Sequence, residues 1–345
     1  MDLTSLIARV TDGHPLTVGE AESAFGTIMA GDATPVQIAA FLAGLRARGH
    51  HSDEIAGGVR ALRAAMVEVA ADPEGRPLID TCGTGGGSVT TFNISTAAAL
   101  VVAAGGVRVA KHGNRSFTSK SGSADVLEAL GVRIEMTPDA MARVLAEVGI
   151  VFMFAPLLHP AMRHVGPVRR ELRIPTIMNL LGPLTNPAGV RRQVVGVSSP
   201  ELLPLISRAL QTLGHERALV VYGEGGLDEV SPLGPTRVVE LKGGELVDYR
   251  IDPESVGLDS GTPDEIAGGE PGDNARVIRG VLEGGVRGGA RTVVLLNAAA
   301  GLLVADEVGD FAEGVERAAH AVDSGAALDR LEALIEASDR VGATP

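Results

Sequence analysis

The spacing of apolar residues changes once along this chain, near residue 78, and this change limits the folds the chain can adopt. Before that point, residues 1–70 show the spacing of four short amphipathic helices, the first with Leu3, Leu6 and Val10 on one face. After it, short apolar runs alternate with helical segments, which is typical of parallel strands covered by helices. The runs are 78–82, 107–110, 150–155, 193–197 and 218–222. We therefore predict an α/β fold: a small all-helical domain, then a larger α/β domain with a central, mostly parallel sheet.

The remaining segments complete this outline. Residues 71–77 predict a linker, and residues 236–241 and 245–251, separated by a short glycine-containing turn, predict a hairpin added to the sheet. Residues 253–273 are rich in Gly, Pro and Asp, which predicts a surface loop. From residue 275 the pattern is helical again.

Charge and cysteine content exclude several classes of protein. The 345 residues carry a formal net charge of −13, so no basic surface for a nucleic acid is expected. Only three of the 30 basic residues are lysines, and Lys111 and Lys120 share one segment, which suggests a site that needs a compact point charge. The single cysteine, Cys82, and the lack of a recognisable N-terminal signal predict a cytoplasmic protein. The apolar run 292–305 is too short to cross a membrane and is interrupted by Asn297.

A glycine-rich stretch directly follows the first predicted strand, at residues 80–96: DTCGTGGGSVTTFNIST. It does not match the Walker A pattern, because no lysine follows the glycines, nor G-x-G-x-x-G, because Ser88 occupies the last position. A strand, a glycine cluster and a helix start place backbone N–H groups and hydroxyls around an anion. The stretch predicts a phosphate cradle, although a tight turn without a ligand fits the same residues.

A second polar stretch follows the second predicted strand, at residues 111–131: KHGNRSFTSKSGSADVLEALG. Its first thirteen positions hold many hydrogen-bond donors and no acid, a composition that suits phosphate oxygens. His112 by itself fits a structural hydrogen-bonding role equally well. In the later stretch GEGGLDE, the adjacent Asp228 and Glu229 can hold Mg²⁺, or else belong to an acidic surface turn.

The segment 159–189 carries four arginines and then a turn-rich apolar run, as expected where a chain crosses between domains and lines a cleft. Arg169 could clamp a carboxylate there, although one arginine of four can equally be a surface residue. In open parallel sheets the ligand lies beyond the carboxyl ends of the strands. We therefore expect the loops after the strands to converge; these follow Cys82, Ala110, Ala155 and Tyr222.

Four stretches, taken in order along almost the whole chain, resemble the anthranilate phosphoribosyltransferase family. They are GTGG…TFNIST, KHGNRS…SGSADVLEALG, HPAM…VRRELRIPTIMNLLGPLTNP and GLDE. The resemblance implies a nucleoside phosphorylase/phosphoribosyltransferase-like fold, with a helical domain over 1–70 joined by about 165–190 and a catalytic α/β domain over 77–164 and 191–345. It also implies a homodimer through the helical domain, an active site in the cleft between the domains, and Mg²⁺ as cofactor. The implied reaction transfers the phosphoribosyl group of 5-phosphoribosyl 1-diphosphate to the amine of anthranilate, with inversion, the second step of tryptophan biosynthesis.

The same resemblance implies roles for individual residues. Those around 5-phosphoribosyl 1-diphosphate would be Gly83, Gly86, Gly87, Thr91, Asn93, Ile94, Ser95, Thr96, Lys111, His112, Gly113, Asn114, Arg115, Ser116, Phe117, Thr118, Ser119 and Ser123. Those around anthranilate would be Gly83, His112, Asn114 and Arg169, with Arg169 facing the carboxylate. Ser95, Asp228 and Glu229 would bind Mg²⁺, and Lys111 and His112 would act in catalysis. Gly87 departs from the family pattern, which often has Asp at this position.

Two other functions fit parts of the sequence. A pyrimidine-nucleoside phosphorylase shares the architecture and a glycine-rich phosphate loop, but Asn114, Arg169 and the NLLGPLTNP stretch speak against it. A non-catalytic nucleic-acid-binding relative of the fold needs a basic face, which the net charge of −13 opposes. We therefore expect neither a nucleic acid nor a membrane as partner.

Overall fold

Four helices form the first part of the chain in the computed structural model, which describes residues 2–71, 76–87, 89–116 and 120–342. They are α1 (Leu3–Thr11), α2 (Val18–Ala30), α3 (Pro35–Arg48) and α4 (Ser52–Ala64). Capping boxes fix the starts of α2 and α3, as the side chain of Thr17 accepts from Glu20 N and that of Thr34 accepts from Gln37 N. The predicted linker at 71–77 lies mostly outside the described residues.

A seven-stranded sheet with the order β3-β2-β1-β4-β5-β6-β7 forms the centre of the rest of the chain. Its strands are β1 (Leu78–Gly83), β2 (Arg108–Gly113), β3 (Ile150–Phe154), β4 (Arg192–Gly196), β5 (Arg217–Gly223), β6 (Thr236–Lys242) and β7 (Glu245–Ile251). The first five pair in parallel, and β6 and β7 add an antiparallel hairpin. The predicted strands, the mostly parallel sheet and the hairpin are confirmed.

Helices connect and cover the strands. They are α5 (Ile94–Ala104), α6 (Ser123–Ala129), α7 (Pro138–Val148), α8 (Ala155–Leu158), α9 (Met162–Leu172), α10 (Met178–Leu181), α11 (Leu202–Thr212), α12 (Pro271–Leu282), α13 (Gly289–Val304), α14 (Phe311–Asp323) and α15 (Ala326–Gly342). Helix α13 is buried at every residue except the half-buried Arg291, which explains the long apolar run in the sequence. Among the described residues, no helix has both the length and the apolar character that a membrane crossing requires.

The buried apolar side chains form two clusters. One contains α1–α4 together with α9 and α10, and it continues onto the sheet and α11 through residues such as Val195 and Val220. The other packs α5, α7, α13 and α15 against the opposite face of the sheet. The segment 177–187, named here the crossing segment, includes α10 and runs from the helical part of the chain towards β4.

The prediction of a surface loop at 253–273 is wrong at Ile266, and its last three residues belong to the start of α12. Ile266 is fully buried, and its carbonyl accepts from Phe92 N at 3.1 Å. Gly268 N donates to Thr90 O at 3.0 Å, so this segment pairs with the chain that leads into α5. A Cβ at Gly268 would lie 2.2 Å from Thr91 O, and only glycine allows this close approach.

Glu54 provides a test of stability in the helical part, because its fully buried carboxylate pairs with Arg48 and accepts from Leu16 N and His51 N. Replacing it (Glu54→Ala) leaves a largely buried guanidinium without its counter-charge. We expect a loss of about 3 kcal/mol in the free energy of unfolding, measured with urea. The control is Asp248→Ala, which breaks the exposed pair with Arg237 and should cost less than about 1 kcal/mol. Equal losses in the two variants would contradict this prediction.

Candidate active site

The loops that follow the parallel strands meet at one edge of the sheet, as predicted. The backbone of the loop after β1 donates to Asp228, in the loop after β5, at 2.9 Å. The same loop meets the one after β2, where Ser121 Oγ donates to Asn93 Oδ1 at 3.1 Å. The end of β2 reaches the segment after β3, where the Nε2 atoms of His112 and His159 lie 3.1 Å apart. The four loops therefore enclose a single site.

Close packing against the turn that carries Asp228 explains the choice of glycine at two positions of the first loop. A Cβ at Gly83 would lie 2.5 Å from Asp228 Oδ2, so a larger residue there would displace the Asp228 carboxylate. A Cβ at Gly87 would lie 3.0 Å from Gly226 O and 3.4 Å from Asp228 Oδ1. Gly86 is exposed between them. Any side chain at position 87 would therefore be close to the Asp228 carboxylate.

The N-terminus of helix α5 faces the same space, and its first backbone N–H groups already have partners: Ile94 N donates to Phe92 O, Ser95 N to the Glu229 carboxylate and Thr96 N to Asn93 O. Asn93, at the N-cap, makes no side-chain capping hydrogen bond, because its amide bonds Ser121 and Asn274 instead. Thr96 Oγ1, in the first turn, is buried and has no hydrogen-bond partner among the described residues. The positive end of the helix dipole and the Thr96 hydroxyl can together attract an anion.

Lys111 is buried beside this helix start, with only 3% of its surface exposed. Its Nζ donates to Thr81 O at 2.8 Å and to Ser95 Oγ at 3.2 Å. Burial lowers the pKa of Lys111, and the negative charges of Asp80 and Glu229 oppose that shift. The lysine that stood out in the sequence thus places its ammonium group next to the first loop and α5.

Asp228 and Glu229 form a partly buried carboxylate pair. Burial raises the pKa of Asp228, and burial together with the charge of Asp228 raises the pKa of Glu229 to about 8. The Glu229 carboxylate accepts a hydrogen bond from the backbone of Ser95, which brings the three predicted metal residues together. In the part of the chain that the structure describes, no cluster of three or more His, Cys, Asp or Glu could hold a metal. The carboxylates of Asp228 and Glu229, together with Ser95, fit Mg²⁺, which takes one or two protein carboxylates and leaves its other positions to phosphates and water.

The loop after β2 is shaped by Asp125 of α6. The Asp125 carboxylate accepts from Ser116 N at 3.1 Å and from Gly122 N at 2.8 Å. It also pairs with Arg115, whose guanidinium contacts Glu128 and lies 5.5 Å from the centroid of the Phe154 ring. These two acids hold the pKa of Arg115 above its usual value. The guanidinium is thus already paired, and its predicted role as a phosphate ligand stays a prediction.

His112 faces away from Lys111, because neighbouring residues of a strand point to opposite sides. Burial, then the nearby His159 and Lys111, lowers the pKa of His112 to about 3, and burial lowers that of His159 to about 4. The backbone of Gly182, in the crossing segment, hydrogen-bonds to the His112 ring. Both imidazoles are therefore neutral at neutral pH, and only one of the two facing Nε2 atoms carries a hydrogen.

Arg169 lies on α9, where burial lowers its pKa. Its Nη2 donates to Asn179 Oδ1 at 3.4 Å, and Thr176 N donates to the same oxygen at 3.1 Å. Within the described chain, Arg169 makes no hydrogen bond to another predicted site residue. It also has no carboxylate partner there, so its charge is available to an anionic ligand.

The other predicted site residues differ in how well the structure places them. Phe117, Thr118 and Ser119 lie outside the described residues. Ile94 is buried in the core, and Thr91 forms a bridge with Ala267. Ser123 Oγ donates to Asn114 O at 3.4 Å, and a Cβ at Gly113 would clash with the same hydroxyl.

The sequence patterns did not predict three polar residues of the site. Asp80, fully buried, accepts from His112 N at 3.3 Å and from Asn186 Nδ2 at 2.8 Å, and Asn186 also donates to Ala110 O. Burial raises the pKa of Asp80 to about 6, against the charge of Lys111. An acid inside an apolar strand was the available signal for Asp80. His159 begins a segment that the sequence singled out only for its arginines.

The two neutral histidines predict a dependence of stability on pH. In the unfolded chain a histidine binds a proton below about pH 6.5, whereas the folded pKa of His159 is about 4. The folded state therefore loses stability as the pH falls from about 6.5 towards 4. Between pH 7 and pH 5 the His159→Gln variant should lose about 2 kcal/mol less free energy of unfolding than the unmodified protein, measured with urea. The exposed His14→Gln is the control, and identical pH profiles for the His159 variant and the unmodified protein would refute the assignment.

Comparisons with known proteins agree with this architecture. Residues 4–66 match the helical bundle domain of a glycosyl transferase family, and residues 75–328 match its a/b domain. Anthranilate phosphoribosyltransferases are 54% identical in Thermomicrobium roseum, over 96% of this chain and 95% of that protein, and 52% in Rhodopseudomonas palustris, over 98% and 99%.

Solved structures give the same result. The crystal structure of the Thermus thermophilus anthranilate phosphoribosyltransferase is 44% identical, with a TM-score of 0.92 over 98% of this chain and 100% of that one. The Saccharomyces cerevisiae enzyme in complex with PRPP and Mg is 28% identical, with a TM-score of 0.88 over 98% of both chains. The same yeast enzyme with 4-fluoroanthranilate is 26% identical, with a TM-score of 0.86 over 98% of this chain and 99% of that one. With more than half its residues identical to a relative over nearly its full length, the chain belongs to the anthranilate phosphoribosyltransferase family.

Proposed function

We propose that this protein transfers the phosphoribosyl group of 5-phosphoribosyl 1-diphosphate to the amine of anthranilate, giving N-(5-phosphoribosyl)anthranilate and diphosphate in tryptophan biosynthesis. The proposal rests on the opposite directions of two neighbouring side chains at the end of β2. Lys111 faces Ser95 and the glycine-rich loop there, while the next residue, His112, faces His159 and the crossing segment. One strand thus separates a polar side, suited to phosphates, from a neutral side, suited to an aromatic amine.

On the donor side, the positive end of the α5 dipole, the Thr96 hydroxyl and the loop backbone attract phosphate oxygens without any group that titrates. Lys111 adds a positive charge close to Ser95. Asp228, Glu229 and Ser95 would hold Mg²⁺. When bound, the ion would supply charge neutralisation for the leaving diphosphate.

On the acceptor side, Arg169 binds the carboxylate of anthranilate, because its guanidinium has no acidic partner in the described chain. The neutral His112–His159 pair contacts the aromatic amine without placing an imidazolium beside the oxocarbenium-like carbon. No residue needs to form a covalent bond to the substrate. The rate enhancement comes from holding the amine in line with the anomeric carbon and from preorganised charges.

The proposal includes a division into two domains, a homodimer and a cytoplasmic location. The helical domain would comprise residues 1–70 and about 165–190, with the site in the cleft beside it. Val36, which is 78% exposed on α3, is an apolar side chain that a second copy would cover. The single cysteine agrees with a reducing compartment. The homodimer is tested by the molecular mass in analytical ultracentrifugation, which should be twice the mass of one chain.

The activity is tested by the fluorescence of anthranilate. With the purified protein, the fluorescence should fall only when 5-phosphoribosyl 1-diphosphate and Mg²⁺ are both present. A pyrimidine nucleoside with inorganic phosphate should give no free base. Stable anthranilate fluorescence with every component present, or phosphorolysis of the nucleoside, would overturn the proposed function.

The role of the carboxylate pair is tested by removing both charges. We expect the double variant Asp228→Asn, Glu229→Gln to lose roughly 100-fold in kcat even in saturating Mg²⁺, since its metal ligands are gone. Glu336→Gln with Asp339→Asn, on an exposed face of α15, removes the same charge far from the site and should leave kcat unchanged. Near-normal turnover of the first variant would contradict the assignment of these carboxylates.

Gly87 makes a sharper test of the same site, because a side chain there points to Asp228. Gly87→Asp adds a third carboxylate and should lower the Mg²⁺ concentration for half-maximal activity by about threefold or more, as ligand charge increases cation affinity. Gly87→Asn has nearly the same shape without the charge, and thus reports the crowding against Gly226 alone. If both variants show the Mg²⁺ dependence of the unmodified protein, position 87 does not affect the metal.

A further inference from the structure

Two asparagines on the C-terminal helices are almost fully buried, although neither belongs to the site described above. Asn274 on α12 is 2% exposed, and Asn297 on α13 is 3% exposed. Asn297 lies in the apolar helix α13, whose residues are all buried apart from the half-buried Arg291. Burying an amide costs free energy unless its hydrogen bonds are satisfied. The groups that these amides bond therefore indicate why they are present.

Asn274 bonds the point where two loops of the site meet. Its Nδ2 donates to Asn93 Oδ1 at 3.0 Å, and its Oδ1 accepts from Gly269 N at 2.7 Å. Asn93 in turn accepts from Ser121 Oγ at 3.1 Å and donates to Ser121 O at 3.2 Å. Helix α12 thus fixes the residue before α5 and, through it, the loop after β2.

The segment 266–274, named here the support segment, strengthens this contact. Its backbone pairs with residues 90–92 through the bonds of Ile266 and Gly268 already described. Asn274 closes the segment by holding Gly269 N. The chain leading into the N-terminus of α5 is therefore held from outside by backbone bonds and by one amide.

Asn297 holds the turn with the two carboxylates in a similar way. Its Oδ1 accepts from Val230 N at 2.9 Å, and its Nδ2 donates to Val230 O at 2.9 Å and to Val293 O at 2.8 Å. Val230 directly follows Glu229 in the sequence. The Asn297 side chain thus bonds both the N–H and the carbonyl of Val230. These bonds fix the direction of the backbone next to the two carboxylate residues.

We propose that Asn274 and Asn297 are positioning residues for the two parts of the donor side. Asn274 sets the geometry of the phosphate-binding loops through Asn93, and Asn297 sets that of Asp228 and Glu229 through Val230. Neither contacts the substrate or the ion. This inference rests on the proposed function, because it assigns each asparagine to one ligand of that reaction.

The two alanine variants control each other, because each removes a buried amide of the same kind. Asn274→Ala should raise the KM for 5-phosphoribosyl 1-diphosphate about tenfold, while Mg²⁺ dependence and the KM for anthranilate stay unchanged. Asn297→Ala should weaken binding of Mn²⁺ to the substrate-free protein about tenfold, measured by electron paramagnetic resonance, and excess Mg²⁺ should restore its turnover. Ser338→Ala, buried on α15 far from the site, gives the effect of losing a hydrogen bond alone.

A purely structural role predicts a different outcome. The variants would then lower the melting temperature without separating the two constants, and this result would overturn the proposal. Asn274→Asp and Asn297→Asp serve if the alanine variants do not fold, since they keep the acceptors for Gly269 N and Val230 N. They should show the same separation of constants.

Hydrogen exchange of the unmodified protein adds a test that needs no variant. Exchange at the Gly269 amide should slow when 5-phosphoribosyl 1-diphosphate with Mg²⁺ is added, and exchange at Val230 should slow with Mg²⁺ alone. Unchanged exchange at both amides would overturn the proposal. If the unmodified protein does not consume anthranilate, the proposed function fails, while Mn²⁺ binding and exchange still decide whether Asn297 positions the carboxylates.

Discussion

The site depends on the buried carboxylate of Asp80. Its two oxygens face two donors from different parts of the chain: the backbone N–H of His112 on β2 and the amide of Asn186 in the crossing segment. A neutral amide at position 80 could accept only one of these bonds and would face the other donor with its own NH₂ group. An acid is therefore required here, and burying its charge is tolerable because Lys111 is close.

This contact fixes the crossing segment relative to the strands. The segment is also held at two successive carbonyls: Gln193 of β4 donates to Pro183 O at 3.0 Å, and Arg63 of α4 donates to Leu184 O at 2.8 Å. Bonds from the sheet and from the helical part of the chain thus meet on the same short stretch. Because Gly182 of that stretch bonds the His112 ring, the acceptor side of the site is positioned by the packing between the two parts.

Local patterns predicted the elements well, since periodicity and capping depend on near neighbours. The Thr17 capping box and the convergence of loops beyond a parallel sheet were both predictable. What could not be predicted are contacts between residues far apart in sequence. Asn93 and Asn274 are 181 positions apart, and the local sequence around neither residue indicates that the other is its hydrogen-bond partner. For the same reason, the sequence did not predict the acidic partners of Arg115 or the backbone pairing of the support segment. The glycines and acids of that segment suggest a surface loop.

The charges of the donor side explain why an acidic protein can bind a polyanion. Asp80 and Glu229 lie near the buried ammonium of Lys111, and burial raises the pKa of these two carboxyls and of Asp228 while it lowers that of the lysine. All these shifts reduce the number of buried charges. Asp228, Glu229 and Ser95 would hold Mg²⁺, and the charge of the ion would favour the ionised carboxylates and offset their repulsion of phosphates. On the proposed assignment, the remaining phosphate contacts would come from backbone N–H groups and hydroxyls, so recognition of the donor would need little further positive charge.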